Sequence, residues 1–295
     1  MTQAPNHFSL VRIMSGFHTL ARPVEITGIG LHCGRQVSLR IVPDERVGWR
    51  FARLDLPQSL EVVASVENVT ATRHATVLAH GQASVSTTEH LLAALWALDV
   101  THARIELDGP EVPILDGSAL PWVEAIKEAG LQPLEGPRPL FGLNKIVWWE
   151  GGGASVVGVP HDELRLSVAV DFDHPHAGAQ SVDFSIDGAT FEREIAPART
   201  FTLENWLEPL RGAGLIRGGS LDNAVVVSEN GLSSPPRLEN EMARHKALDC
   251  IGDLALLFGA NGGALRAHLI ALRAGHGSHR AWMESCQRQN ALLRF

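Results

Sequence analysis

A stripe of polar side chains follows one face of a helix that we predict from about residue 238 to residue 258. At 100° per residue, Asp249 lies about 40° and Asp253 about 80° from His245, whereas the apolar positions of the helix cover about 180° to 300°. Because the helix is apolar on almost every other side, we expect it to be buried. A buried imidazole and two buried carboxylates must be paired with one another or bound to a metal ion.

A histidine and an aspartate four residues apart on one helix face can bind the same ion. Zn²⁺ accepts nitrogen and oxygen ligands at about 2.0 to 2.2 Å, and Asp253, one turn further on, is better placed to orient a ligand than to be one. The spacing of His245 and Asp249 is also typical of an ion pair on a helix surface. The residues of this helix alone leave both interpretations open.

The dipeptide Glu89–His90 lies near the start of a second predicted helix, residues 88–98, and adds another carboxylate and another imidazole. The spacing from Ser86 to Glu89 also fits a capping box, in which the glutamate accepts a hydrogen bond from a free backbone N–H. An acidic residue at a helix start is favoured by the helix dipole as well. Capping and chemistry therefore both remain open for Glu89.

A third candidate, His276, stands between Gly275 and Gly277, where we expect a short exposed turn. Most histidines of this kind are inert. Flanking glycines nevertheless permit close approach of a ligand, and an imidazole with an ordinary pKa of about 6.5 is suited to general acid catalysis near neutral pH.

The rest of the chain must position these residues, and its pattern predicts an α+β fold. In each half, runs with the two-residue period of strands come first and helical stretches come last, an order that favours α+β layers over a doubly wound sheet. The segment 130–139, rich in glycine and proline, is the predicted linker. The two expected domains and their candidate residues are 1–135, with Glu89 and His90, and 136–295, with His245, Asp249 and His276.

The composition excludes several classes of protein. With 45% hydrophobic and 20% charged residues, the 295-residue chain is expected to be soluble and globular, and no apolar run approaches the roughly 18 residues of a membrane span. The formal net charge of −8 argues against a nucleic-acid partner. Three widely spaced cysteines and an N-terminus without a signal-peptide pattern predict a cytoplasmic protein.

Taken together, the motifs resemble those of one family, the UDP-3-O-acyl-N-acetylglucosamine deacetylases, zinc amidases that commit Gram-negative bacteria to lipid A synthesis. The match runs from about residue 19 to residue 290, and several motifs in the right order are far more specific than any one of them. The matching stretches are 28–34, 86–95, 111–118, 198–201, 218–220, 244–249, 251–253 and 275–276.

The resemblance implies one zinc ion held by His90, His245 and Asp249, with a water in the fourth position. Iron(II) is the alternative metal inside the cell. The resemblance also implies that Glu89 is the general base and that His276 is the general acid or an electrostatic partner.

Further roles are implied by the same resemblance. Asp253 would orient His276, and the Thr200 hydroxyl would donate a hydrogen bond to the oxyanion. The implied substrate contacts are Lys246, Phe201 and Arg273, the last on the diphosphate side. The substrate would be an acylated UDP-amino sugar, and its fatty chain requires an apolar tunnel, which we expect from a strand-rich insert around residues 210–227.

The implied fold has two domains of similar topology, each a sheet with paired helices, and the helices lie between the sheets. We expect a monomer that has no transmembrane segment and comes near a membrane only transiently.

Three other functions compete with this hypothesis: an amidohydrolase for a different acylated amino sugar, an idle relative that binds nucleotide sugars or regulates lipid synthesis, and an α+β scaffold whose histidines and aspartates merely pair. A general base beside the metal argues against a catalytically inactive relative.

Overall fold

The computed structural model describes residues 16–295. The first fifteen residues, on which part of the signal-peptide argument and the start of the first domain depend, lie outside the described residues. The elements of the N-terminal half are β1 (Gly16–Leu20), β2 (Val24–Ile29), β3 (Gln36–Val42), β4 (Gly48–Arg53), β5 (Leu60–Val63), β6 (Val69–Ala71), β7 (Val77–His80), β8 (Ala83–Val85), α1 (Glu89–Ala97), β9 (His102–Leu107), α2 (Leu120–Ala129) and β10 (Leu131–Pro137).

The C-terminal half continues the same mixture of strands and helices. Its elements are β11 (Leu140–Leu143), β12 (Val147–Gly151), β13 (Ala154–Val159), β14 (Leu164–Asp171), β15 (Ala179–Ser185), α3 (Gly188–Thr190), β16 (Phe201–Leu203), α4 (Glu204–Gly212), β17 (Val225–Ser228), β18 (Gly231–Leu232), α5 (Glu241–Ala255), β19 (Ala264–Leu272), α6 (His276–Arg288) and β20 (Leu292–Arg294). Short 3-10 helices span Pro57–Ser59 and Val66–Asn68, and a π-helix spans Phe191–Ile195.

The two halves repeat one topology, so the predicted α+β fold is confirmed. The first sheet has the order β2-β3-β9-β4-β5, in which only β4 and β9 are parallel. In the second sheet, β12-β13-β19-β14-β15 follow the same order, and only β14 and β19 of these five strands are parallel. The helices correspond as well, since α1 precedes β9 as α5 precedes β19, and α2 and α6 follow those strands.

Each half carries an insertion at the equivalent position, after β5 and before α1 in the first half and after β15 and before α5 in the second. The N-terminal insertion forms the three-stranded sheet β6-β7-β8, and the C-terminal insertion contains α3, α4 and the three-stranded sheet β16-β17-β18. Both insertions therefore end where a helix with candidate catalytic residues begins.

Alternating side chains explain the main sheets. In β3, Val37, Leu39 and Ile41 are buried while Ser38 and Arg40 are exposed, the pattern of a strand with one face on the core. One continuous apolar cluster joins both halves. No helix of the described residues is long and apolar enough to span a bilayer.

Helices α1 and α5 pack directly against each other. They lie close together at Gly252, where an added Cβ would overlap the Glu89 carbonyl oxygen and lie 2.7 Å from the carbonyl carbon. Nearly every residue of both helices is buried, as expected from the composition of α5. This contact brings the start of α1 beside the middle of α5.

Most of the predicted linker, residues 130–139, is a strand. Residues Leu131–Pro137 form β10, which pairs with β1 in a two-stranded sheet. Prolines are compatible with this strand because a two-stranded sheet leaves each strand an unpaired edge. The domain boundary that we propose, between residues 135 and 136, falls inside β10.

Candidate active site

Three predicted metal ligands from α1 and α5 converge. The Nε2 atoms of His90 and His245 lie 3.6 and 3.5 Å from Oδ1 of Asp249, and the two imidazole rings are perpendicular with centroids 5.0 Å apart. All three residues are at most 4% exposed. One possible ligand atom of each residue thus lies within 4.8 Å of those of the other two.

The second ring nitrogen of His245 supports a metal-binding tautomer. Its Nδ1 lies 3.1 Å from the carbonyl oxygen of Ala198, and a carbonyl can only accept, so Nδ1 carries the hydrogen. The Nε2 lone pair is then free to bind an ion. Burial lowers the pKa of His245 to about 3 despite the nearby Asp249 carboxylate, which keeps the imidazole neutral.

Asp249 remains ionised although it is buried. Burial opposes its charge, but Lys246 and His245 lower its pKa well below the ordinary value, and Lys246 Nζ donates to Oδ2 at 2.8 Å. The other oxygen of the carboxylate faces the two imidazoles. Two imidazoles and one carboxylate form a donor set suited to Zn²⁺ or another borderline divalent cation, so these residues fit a metal.

The capping-box interpretation of Glu89 is wrong. Helix α1 begins at Glu89 itself, so the side chain cannot take the third helical position that a capping box requires. Instead, Glu89 Oε2 accepts a hydrogen bond from the backbone N–H of Thr76 at 3.2 Å, and Oε1 lies 3.7 Å from Nε2 of His276. Burial raises the pKa of Glu89.

His276 is not on an exposed turn, contrary to expectation. It is the first residue of α6 and is only 9% exposed. Its Nδ1 donates to Oδ2 of Asp253 at 2.8 Å. Burial alone would lower the pKa of His276, but the carboxylates of Asp253 and Glu89 raise it to about 9. The imidazole therefore holds a proton at neutral pH, beside the carboxylate of Glu89.

Two contacts of Asp253 were not predicted from the sequence. His279 Nδ1 donates to Oδ2 at 2.7 Å, and the Thr76 hydroxyl donates to Oδ1 at 2.5 Å. The spacing of His276 and His279 would have signalled the first contact if residues 275–280 had been assigned to a helix. Thr76 gives no such signal, since it is 177 residues from Asp253.

Glu111 joins three of the sequence motifs below the site. Its fully buried carboxylate accepts hydrogen bonds from the backbone N–H groups of His32 and Cys33 at 2.9 and 2.7 Å, and from the Thr87 hydroxyl at 2.8 Å. Thr87 has a φ of 57°, a conformation that costs energy in a non-glycine residue. These bonds hold the turn that leads into Glu89.

A cleft of about 1090 Å³ includes the candidate metal ligands in its wall. Both insertions contribute to it, through His74 on one side and through the region of α4 on the other. Helix α4 has no buried residue, and its side chains Leu207 and Leu210 line the cleft. An apolar surface is thus exposed to an open space.

The expectation of a strand-rich insert at residues 210–227 is wrong in its secondary structure. That segment holds the end of α4, turns around Gly214 and Gly218, and only part of β17. The segment nevertheless lines the cleft through Leu215 and Ile216.

The remaining predicted site residues lie around the same cleft. Thr200 and Phe201 line it, and their position is tied to α5 because Glu241 accepts from the backbone N–H of Arg199 at 3.0 Å. Lys246 Nζ lies 5.6 Å from the centre of the Phe201 ring.

Arg273 lies apart from the main cleft. It lines a smaller cavity of about 560 Å³, in which Lys246 also takes part. The structure therefore separates Arg273 from the candidate metal ligands, and Lys246 lies between the two cavities.

Comparison with known proteins places this chain in a family. The family model for UDP-3-O-acyl N-acetylglycosamine deacetylases matches residues 17–287. The chain is 45% identical over 269 residues to a UDP-3-O-acyl-N-acetylglucosamine deacetylase of a Nostoc species, covering 89% of this chain and 95% of the relative. Enzymes of the same name from Thermosynechococcus vestitus and Leptospira biflexa are 44% and 40% identical, with 88% of this chain and 90% and 85% of those relatives covered.

The duplicated α+β fold carries a buried cluster of histidines and carboxylates. Together with the relatives just described, this cluster defines a metal-dependent amide hydrolase. The chain belongs to the UDP-3-O-acyl-N-acetylglucosamine deacetylase family. It is a hydrolase of lipid A biosynthesis that removes an N-acetyl group from a small-molecule UDP-sugar. The resemblance inferred from the motifs is confirmed.

Proposed function

We propose that this chain hydrolyses the N-acetyl amide of UDP-3-O-acyl-N-acetylglucosamine to UDP-3-O-acyl-glucosamine and acetate with a zinc ion held by His90, His245 and Asp249. The observation that supports the ligand set is the convergence of two imidazoles and one carboxylate from two helices of different halves. When bound, the ion supplies a Lewis acid that acidifies water and polarises a carbonyl.

Glu89 takes the proton of the attacking water in this proposal. Its side chain is buried next to ligand His90, and its raised pKa brings the carboxylate closer to the range in which a general base is efficient. The carboxylate of Glu89 does not cap α1, so it is available for chemistry.

His276 gives a proton to the leaving amine and is oriented by Asp253. Its protonated imidazole and the carboxylate of Glu89 are near neighbours, so acid and base act on the same small region. The Thr200 hydroxyl, at the wall of the cleft, donates to the oxyanion, a contribution of roughly 3 kcal/mol for a donor of that kind.

Substrate binding is assigned to both cavities. Lys246, Phe201 and Arg273 bind the nucleotide-sugar side, where Lys246 lines both cavities. The fatty chain occupies the part of the cleft lined by Leu207, Leu210 and their neighbours. The apolar side of α4 would then be covered by substrate, which explains a helix without a buried residue.

The metal assignment is tested with purified protein by metal analysis and acetate release. His245→Ala should lose the ion, whereas Glu89→Gln should keep about one ion per chain and lose about 100-fold or more in rate, since a general base contributes roughly 10²–10⁴. His80→Ala, at an exposed histidine, is the matched control. Equal metal content in wild type and His245→Ala would overturn the ligand set.

We propose zinc rather than iron(II) because the donors are two imidazoles and one carboxylate. Reconstituting the metal-free protein with each ion and measuring acetate release decides between them.

An acylated amino sugar without UDP tests the rival hypothesis of an amidohydrolase for a different substrate. Such an enzyme should accept the sugar without UDP equally well.

We further propose a cytoplasmic monomer. All three cysteines are free, and two of them, Cys250 and Cys286, are buried, as expected in a reducing compartment. Light scattering of the purified chain measures its mass in solution.

A further inference from the structure

His279 shares a carboxylate with the proposed general acid. Its Nδ1 lies 2.7 Å from Oδ2 of Asp253, the same oxygen that is 2.8 Å from Nδ1 of His276. An ionised carboxylate only accepts, so both Nδ1 atoms donate. His279 is 1% exposed, and it is absent from the cleft wall that His276 helps to form. His279 therefore does not face the cleft, and the hydrogen bonds that join it to His276 run through their shared Asp253 carboxylate.

The donors of Asp253 approach from different elements. His276 and His279 are on α6, and the Thr76 hydroxyl, which reaches Oδ1, precedes β7. A carboxylate with a single partner can turn about its terminal torsion, which has a broad energy minimum. With three donors on its two oxygens, the plane of the Asp253 carboxylate is fixed, and with it the direction in which the His276 ring points.

We propose that His279 is a positioning residue for the deacetylation: it holds the Asp253 carboxylate in the plane that turns His276 toward Glu89 and the cleft. This inference rests on the proposed function, because it assigns His276 to proton transfer. Loss of the His279 hydrogen bond should therefore reduce the rate of the chemical step more than substrate binding.

Three substitutions separate positioning from simple filling of space. His279→Leu fills the volume without a donor. His279→Gln places its amide farther along the side chain, near the position of Nε2, whereas His279→Asn can place an N–H near the position of Nδ1. Arg280→Gln is the matched control on the same helix, since among the described residues the side chain of Arg280 pairs with Glu284, away from Asp253.

The measurement is kcat and KM for acetate release, with metal content and melting temperature for each variant. We expect kcat to fall about 10–100-fold in His279→Leu and His279→Gln with KM within about twofold, the range found for partners that orient catalytic groups, and His279→Asn to recover most of the loss. Equal losses in the Asn and Gln variants, an unchanged kcat in His279→Leu, or a matching rise in KM would overturn the inference.

Two comparisons keep the outcome clear. If His279→Leu does not fold, the Asn and Gln variants decide the question, because both retain a polar side chain. Absence of acetate release from the wild-type protein would refute the proposed function itself, whereas an active wild type with equally active Gln and Asn variants would refute only the role of His279.

Discussion

Protonation of His276 sets the expected limit of activity at high pH. Burial would lower the pKa of His276, but Asp253 and Glu89 raise it to about 9, so the proton is held at neutral pH and lost as the pH rises through that value. We expect kcat/KM to fall on this alkaline side. In Asp253→Asn, the charge that stabilises the imidazolium is removed, so the alkaline limb should move to lower pH. Coincident limbs in the pH–rate profiles of the two proteins would contradict the acid role.

Individual residues differ in how far the sequence can predict them. His245 and Asp249 follow from helical periodicity, because both are on one helix and their separation alone brings them to one face. The position of Thr76 cannot be predicted in this way, since its contact with Asp253 joins distant parts of the chain. The glycines on either side of His276 suggest a turn, but Gly275 is the N-cap of α6 and Gly277 is inside it.

At the scale of elements, the crossing of α1 and α5 depends on the missing side chain of Gly252. In Gly252→Ala, the new Cβ would meet the backbone of Glu89, which cannot move without shifting α1. We expect a loss of about 1–3 kcal/mol in the free energy of unfolding, as for other overpacked sites, together with reduced metal binding. Thermal unfolding and metal analysis measure both effects.

The matched control for this helix crossing is Gly212→Ala. Gly212 is also helical, but an added Cβ there has open space, so stability should stay equal or rise by up to about 1 kcal/mol. Similar destabilisation of both variants would show that the tight crossing is not the cause.

The sequence predicts an element well where its hydrophobic pattern continues over many residues. It predicts an element poorly where glycine or proline interrupts that pattern. The buried character of α5 follows from its composition, but its start at Glu241 depends on Asn240, which has a φ of 54°. The two-stranded sheet of β1 and β10 could not be predicted, because its pairing joins segments more than one hundred residues apart and β10 contains two prolines.

For the whole molecule, the ion would join two halves that already share one apolar core. We expect a single thermal transition, and we expect zinc to raise the melting temperature of the metal-free protein, since a ligand that binds only the folded state adds about 2.7 kcal/mol at a concentration of 100 Kd. His90→Ala removes the one ligand from α1 and should lose most of this increase, whereas His80→Ala should keep it. Differential scanning calorimetry with and without zinc measures both, and two separate transitions would contradict a shared core.

The two insertions interrupt their halves at equivalent positions, and these positions determine how substrate preference can change. The duplicated sheets and the helices α1 and α5 form a common frame, whereas the loop between β6 and β7 on one side and the α4 region on the other contribute to the cleft wall. Lengthening or exchanging one inserted segment would alter the room for the fatty chain and leave the hydrolytic centre in place. Diversity in acyl length can therefore arise by replacement of a module rather than by remodelling of the catalyst.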